Sequence, residues 1–154
     1  MTHPDPHPPA RAAPGSRPEI SVIVPTLNEG GNIGGLLDRL LADAALAGRA
    51  EILVADDGST DSTADEVRAR AEEAAVRLLS RSGEPDLTAS VLEAAQAARG
   101  RWCVVMDADG SHPVEAVSRL LEPLRTGRAD VAVGSRHVAG GAIADWPAWR
   151  RFTS

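Results

Sequence analysis

Five short runs rich in β-branched residues, each separated from the next by a segment with helical spacing, narrow the fold of this chain more than any other feature. Ile20-Ser21-Val22-Ile23-Val24 is apolar at nearly every position and stops at Pro25, the pattern of a strand buried on both faces. Ile33, Leu36, Leu37, Leu40, Leu41 and Ala44 then recur at helical spacing, and Gly48 supplies a stop. Glu51 to Ala55 reads as a second strand, followed by a helix from Asp61 to Ala75 with Thr60 or Asp61 as its N-cap. Val76 to Leu79 is a third, weaker strand, and Leu87 to Ala98 a helix closed by Gly100. Arg101 to Met106 is a fourth strand, a helix runs from Pro113 to Thr126, and Ala129 to Val133 is a fifth strand. Strands alternating with helices imply βαβ units, so the expected fold is α/β: a doubly wound, mostly parallel sheet with helices on both faces.

Composition bounds what such a domain does. The chain has 154 residues, enough for one domain with a real core. Its formal net charge of −6 argues against a nucleic-acid partner, which calls for a basic face. A single cysteine, Cys103, excludes an intramolecular disulfide and a cysteine-based zinc site, and its apolar neighbours predict a buried small residue. No apolar run approaches the ~20 residues needed to span a bilayer, and no signal-peptide pattern opens the chain. Residues 1–18, rich in Pro, His and Ala, read as a disordered tail.

Open parallel sheets bind ligands beyond the carboxyl ends of their strands. Three of these ends carry polar groups: Pro25-Thr26-Leu27-Asn28-Glu29-Gly30, Asp56-Asp57-Gly58-Ser59-Thr60-Asp61 and Asp107-Ala108-Asp109-Gly110-Ser111-His112-Pro113. Carboxylates thus converge on one edge of the sheet and repel one another unless a cation or ligand donors offset them. Asp107 and Asp109, two apart on an extended segment, can point to one side and offer Mg²⁺ or Mn²⁺ the hard oxygen ligands it prefers. The bland alternative makes both aspartates turn-formers and caps, since Asp-Gly is a common turn dipeptide. Asp57 has the same two readings, as a cap-and-turn residue or as an acceptor for base or ribose donors. Asn28 and Glu29 either cap the first helix or, in the case of Glu29, meet a nucleotide. There is no G-x-x-x-x-G-K-[ST] loop and no G-x-G-x-x-G after the first strand, which removes the usual kinase, ATPase and NAD readings.

Val-Ile-Val-Pro-Thr-Leu-Asn-Glu (22–29), Asp-Asp-Gly-Ser-Thr-Asp (56–61) and Val-Met-Asp-Ala-Asp-Gly-Ser-His-Pro (105–113) resemble the family 2 glycosyltransferases of GT-A fold. Val133-Gly134-Ser135-Arg136 and Trp146-Pro147-Ala148-Trp149-Arg150 narrow the resemblance to the dolichol- or polyprenol-phosphate mannosyltransferase branch. It runs from about Ile20 to the last residue and implies a GT-A catalytic domain over 19–137, with 138–154 opening an acceptor-side segment. The family continues well past the position of Ser154, so the chain reads as C-terminally truncated.

Roles follow from the resemblance residue by residue. Pro25, Leu27, Glu29 and Asp57 would line the nucleotide pocket. Asp107 and Asp109 would hold Mg²⁺ or Mn²⁺ on the donor diphosphate, with the Ala108 backbone alongside and Ser111 as a further ligand or a helix cap. Arg136 would contact the donor phosphates or sugar, and Arg150, with Ser154, the acceptor phosphate. The implied reaction is an inverting, metal-dependent transfer from a nucleotide sugar, GDP-mannose first and UDP-glucose second, to a polyprenyl or dolichyl phosphate. The acceptor is already an oxyanion, so no general base is named, and His112 is read as entering the next helix. Trp146 to Phe152 would either touch a bilayer surface or pack on the domain. The polyprenyl acceptor requires membrane proximity, and the cytoplasmic face of a membrane is the expected location. Two further readings stand beside this one: a family 2 enzyme using a UDP-sugar and another acceptor, and an inactive nucleotide-binding fragment. The chain departs from the family where a common Lys-Gly segment is replaced by Gly83-Glu84-Pro85-Asp86, which reverses the local charge.

Overall fold

The computed structural model describes residues 17–71 and 75–135. Its elements are β1 (Ile20–Thr26), α1 (Ile33–Ala42), β2 (Ala50–Asp56), α2 (Thr63–Arg68), β3 (Val76–Ser80), α3 (Leu87–Ala97), β4 (Trp102–Val105) and α4 (Ala116–Arg125). The chain divides into two compact units, Met1–Ser118 and Arg119–Ser154. The first holds the sheet, four strands in the order β3-β2-β1-β4 with every pairing parallel.

That order fixes the faces. From β1 to β3 the chain steps one way across the sheet, and the β3-to-β4 connection returns past β2 and β1. Right-handed crossovers then put α3 on the face opposite α1 and α2. Contacts agree: α1 packs on α2 and α2 on β2 and β3, whereas α3 packs on β1 and β2. Ile23, Leu53 and Ala55 form a buried cluster with Ala94 of α3, and the partly buried Leu79 and Ala98 pack against it. Ala94 is fully buried, and its small side chain lets the helix sit close to the strands. The stripe Ile33, Leu36, Leu37 and Leu40 of α1 is likewise buried, each such side chain contributing roughly 1.5–3 kcal/mol.

At the amino ends of the strands a buried carboxylate holds several elements together. Glu51 of β2 accepts from Ser21 Oγ at 2.7 Å, from the Arg99 amide at 2.6 Å and from Arg77 at 3.0 Å. The Gly100 amide donates to Ser21 Oγ at 2.9 Å. A Cβ at Gly100 would lie 2.5 Å from the Ser21 amide nitrogen, so the chain can enter β4 here only as glycine.

Several expectations need correction. Residues 129–133 form no strand: the segment has no ladder partner among the described residues, and Val131 and Val133 are 76% and 82% exposed. Alternating β-branched residues supply the propensity, but a strand exists only where a neighbour takes its hydrogen bonds. Cys103 is exposed rather than buried, because α3 covers β1 and β2 and leaves that face of the edge strand β4 open, as the half-exposed Val105 also shows. The second helix is shorter than the expected 61–75, with Ser62 in the N-cap position. Past Arg68 its backbone tightens into three-residue turns, Arg70 to Val67 and Ala71 to Arg68. The first helix ends at Ala42 rather than Ala44, and the last begins at Ala116 after a tight turn in which the Ala116 amide donates to Pro113.

The second unit contains the end of α4 and a turn in which the Arg128 and Ala129 amides both donate to the Pro123 carbonyl. Among the described residues no helix is long and apolar enough to cross a membrane.

Candidate functional site

The register of the sheet assembles the site. Thr26, Asp56 and Ser80 are cross-strand neighbours, so β1, β2 and β3 end level with one another. The Met106 amide donates to the Ile23 carbonyl and carries β4 toward the same edge. Each strand therefore delivers its following loop to one rim, where the sequence had placed its acidic residues.

The loops after β1 and β2 are laced together. Asn28, at φ +58°, donates its amide to Ser59 Oγ at 2.8 Å and accepts the Thr60 amide at 2.9 Å. The Glu29 amide donates to Thr63 Oγ1 at 2.8 Å, and the Gly30 amide to Asp61 Oδ2 at 2.9 Å. A Cβ at Gly30 would come within 2.3 Å of Ser62 Oγ, so the two loops can approach this closely only because residue 30 has none. Asp61 serves both sides, since its other oxygen accepts the Thr63 amide at 2.9 Å near the start of α2. These bonds hold the Asp61 carboxyl below the usual carboxylate range, the Thr63 hydroxyl and amide first and the Gly30 amide next.

Between these loops, the start of α3 and the loop after β4 lies a cleft of about 400 Å3. Pro25, Thr26, Leu27 and Glu29 line it from β1, Asp57 from β2, Pro85, Asp86, Leu87 and Ser90 from the α3 entry, and Asp107, Ala108 and Asp109 from β4. Its chemistry is divided. Pro25, Leu27, Pro85 and Leu87 are apolar, with Leu27 and Leu87 45% and 64% exposed. Asp107 and Asp109 are exposed, whereas Ala108 between them is buried, so the chain anchors at Ala108 and offers its neighbours to solvent.

Asp57 differs from the other carboxylates of the cleft in being buried, with a partner on each oxygen. One oxygen meets the Arg81 guanidinium and the other accepts the Asp86 amide at 2.5 Å. Burial pushes its carboxyl up, but the Asp86 amide, the Ser90 hydroxyl and Arg81 outweigh that and hold it below the usual range. Glu29 accepts from the Asn32 side chain at 2.8 Å while lining the cleft. Asn32, not Asn28, occupies the N-cap position of α1.

A divalent cation suits this donor set. Among the described residues no three His, Cys, Asp or Glu side chains gather into a complete metal site. Asp107 and Asp109 present carboxylate oxygens on one loop, hard donors of the kind Mg²⁺ or Mn²⁺ takes when water and phosphate oxygens fill the remaining positions. The loop is held locally: the Ser111 amide donates to Asp109 Oδ1 at 2.8 Å, and the Asp107 amide to His112 Nδ1 at 3.2 Å.

Comparison with known proteins decides the family. The profile of glycosyl transferase family 2 matches residues 21–152. The chain belongs to glycosyltransferase family 2. A dolichol-phosphate mannosyltransferase of Pyrococcus furiosus is 39% identical over 137 residues, which is 88% of this chain and 38% of that protein. A polyprenol monophosphomannose synthase of Mycolicibacterium smegmatis is 42% identical over 137 residues, 85% of this chain and 49% of that one. Such relatives put the chain in the dolichol- or polyprenol-phosphate mannosyltransferase-like branch of the family, and it spans about half or less of their length. In fold it is similar to glucosyl-3-phosphoglycerate synthase from Mycobacterium tuberculosis, solved in complex with UDP. The TM-score there is 0.59 at 28% identity, covering 82% of this chain and 47% of that one. The α/β GT-A architecture follows.

Of the site residues that the family resemblance names, Pro25, Leu27, Glu29, Asp57, Asp107, Ala108 and Asp109 share the cleft. Ser111 lies outside its lining and is exposed. Arg136, Arg150 and Ser154 lie outside the described residues, as does the aromatic segment 146–152. The sequence reading did not name Thr26, Pro85, Asp86, Leu87 or Ser90 as lining, nor Arg81 as the partner of Asp57. Asp86 carried a usable signal, an Asp directly before a helical run, and its side chain does cap α3 by accepting the Ala89 amide at 3.0 Å.

Proposed function

We propose that this chain binds the donor in an enzyme that transfers a sugar, with inversion, from a nucleotide diphosphate to a polyprenyl phosphate. The observation carrying this reading is the pairing of Asp57 and Asp107/Asp109 in one cleft with an apolar stretch between β1 and α3. A nucleoside diphosphate has the matching sequence of parts, with a flat base, ribose donors and an anionic diphosphate. Pro25, Leu27, Pro85 and Leu87 give the base apolar walls, and Glu29 and Asp57 offer acceptors to base and ribose donors. Asp107 and Asp109 would hold Mg²⁺ or Mn²⁺, which when bound neutralises charge on the departing diphosphate.

GDP-mannose is the preferred donor in this reading. The guanine edge presents N1–H and N2–H together, a donor pair that a carboxylate lining the cleft is suited to accept. Uracil sets one N3–H between two carbonyl acceptors, which a carboxylate repels. UDP-glucose ranks second, and the UDP complex of the structural relative supports keeping it there.

In the reaction a phosphate oxygen of the acceptor forms the bond to the anomeric carbon as the bond to the nucleoside diphosphate breaks. The nucleophile is already an oxyanion, so positioning and charge stabilisation, rather than a base, carry the rate. Arg136 is assigned to the donor phosphates and Arg150 to the acceptor phosphate, for which a planar guanidinium is suited. A membrane-impermeant donor and a lipid acceptor place the reaction at the cytoplasmic face of a membrane.

The test is calorimetric titration of GDP-mannose and of UDP-glucose with Mn²⁺ present and then with EDTA. Binding that needs the metal, tighter for GDP-mannose, is expected. Metal-independent binding would remove Asp107 and Asp109 from the site, and tighter UDP-glucose would reverse the base assignment.

A further inference from the structure

Arg81 follows β3 and is held by its own backbone, its amide donating to the Asp56 carbonyl at 2.8 Å. Its side chain is only 15% exposed, and its guanidinium spans two carboxylates. One nitrogen meets Asp57, and Nε donates to Glu93 of α3 at 3.0 Å. Arg81 itself does not line the cleft, whereas Asp57 does. Glu93 is 59% exposed and, like Arg81, does not line the cleft.

With one oxygen on Arg81 and the other on the Asp86 amide, the Asp57 carboxylate has a single orientation. Its charge is also balanced locally, which matters in a cleft that holds Glu29, Asp86, Asp107 and Asp109 as well. Without its planar partner, Asp57 would rotate away from any base it had been set to read.

We propose that Arg81 is a positioning residue for the nucleotide, fixing Asp57 at the base end of the cleft and thereby setting how tightly, and how selectively, a base is held. This rests on reading the cleft as a nucleoside-diphosphate site. Arg81 acts through Asp57 and touches no ligand. Its influence therefore extends to the base and not to the diphosphate, which belongs to Asp107 and Asp109.

That separation gives the experiment. The full chain and its Arg81→Ala, Arg81→Lys and Glu93→Gln variants are titrated with GDP, UDP and inorganic pyrophosphate, all with Mn²⁺. Arg81→Ala is expected to weaken the preferred nucleotide about tenfold or more, the scale of a lost charge-assisted contact, and to narrow the GDP-to-UDP ratio. Pyrophosphate, which has no base, should stay within about twofold of its wild-type affinity, since a Coulomb effect across the cleft is screened. Arg81→Lys keeps the charge without the planar fork and should recover part of the affinity, while Glu93→Gln should lose about two- to threefold, as an exposed pair does. Nucleotide and pyrophosphate falling together in Arg81→Ala would make Arg81 a general structural tie and overturn the proposal. So would unchanged nucleotide affinity in all three variants. A wild-type chain that binds pyrophosphate but neither nucleotide would overturn the nucleotide reading of the cleft, and the role of Arg81 with it.

Discussion

Asn28 and Thr60 join the loops after β1 and β2: the Thr60 amide donates to the Asn28 side-chain oxygen at 2.9 Å. Asn28 reaches this position only because its backbone sits at φ +58°, a region that asparagine tolerates and most residues do not. The residue lies between Leu27 and Glu29, both of which line the cleft, so its conformation sets theirs.

The two contributions of Asn28 can be separated. Asn28→Gly keeps the backbone conformation and loses the acceptor of both the Thr60 amide and the Thr60 hydroxyl, an expected cost of about 1–2 kcal/mol. Asn28→Ala loses the same acceptor and adds left-handed strain, for a total of about 2–4 kcal/mol. Urea unfolding measures both. Equal stability of the two variants would mean that backbone conformation contributes nothing at this position.

Asp109→Asn should abolish metal-dependent nucleotide binding and leave the fold nearly unchanged. The amide oxygen can still accept from Ser111, so the turn that Asp109 makes survives while a carboxylate is removed from a crowded rim. Calorimetry with Mn²⁺ and a thermal melt are both required. A variant that melts much earlier yet still binds would show Asp109 to be a turn residue rather than a ligand.

How much of this was legible in the sequence depends on the kind of interaction. The buried strands β1 and β2 and the apolar stripe of α1 follow from periodicity, because burial on a given face writes a repeating pattern. The three acidic loops could be placed at one rim because parallel strands all end on the same side. What periodicity cannot show is pairing between distant residues. Val131 and Val133 have strand-like composition without a ladder partner, and Cys103 is apolar by neighbourhood yet sits on a face that α3 does not reach. Arg81 was invisible for the same reason: its partner Asp57 lies twenty-four residues earlier, and only the β2–β3 pairing brings them together. Arg81 thereby converts Asp57 from one more repelling carboxylate into a fixed acceptor.

His112 accepts the Asp107 amide through Nδ1 at 3.2 Å. The bond ties the two ends of the loop that carries the aspartates, and His112 itself lies ahead of α4, which begins at Ala116. His112→Ala is expected to cost no more than about 1 kcal/mol of stability, since the freed amide can reach water. Mn²⁺-dependent nucleotide affinity should fall several-fold as the loop loosens. Complete loss of transfer with unchanged binding would instead give His112 a direct part in the chemistry.

The buried Glu51 makes the fold sensitive to acid. Burial alone would raise its carboxyl, but the Ser21 hydroxyl, the Arg99 amide and Arg77 together hold it below the usual value. A carboxyl whose folded value is lowered contributes stability that is fully present above its unfolded value and lost as pH falls through the folded one. Asp57 and Asp61 are lowered as well, so all three act in the same direction. Unfolding free energy should therefore be flat near neutrality and fall from about pH 5 downward, where unfolded carboxylates begin to take up protons. Glu51→Gln should cost about 1–3 kcal/mol at pH 7, because its amide group turns a donor toward Arg77 or the Arg99 amide. The variant should also lose less than the wild type between pH 6 and pH 4, where the proton that Glu51 resists no longer counts. Urea titrations at the two pH values give four free energies. Parallel losses in wild type and variant would show that Glu51 titrates alike in the folded and unfolded chain, and that the network around it does not favour the charged form.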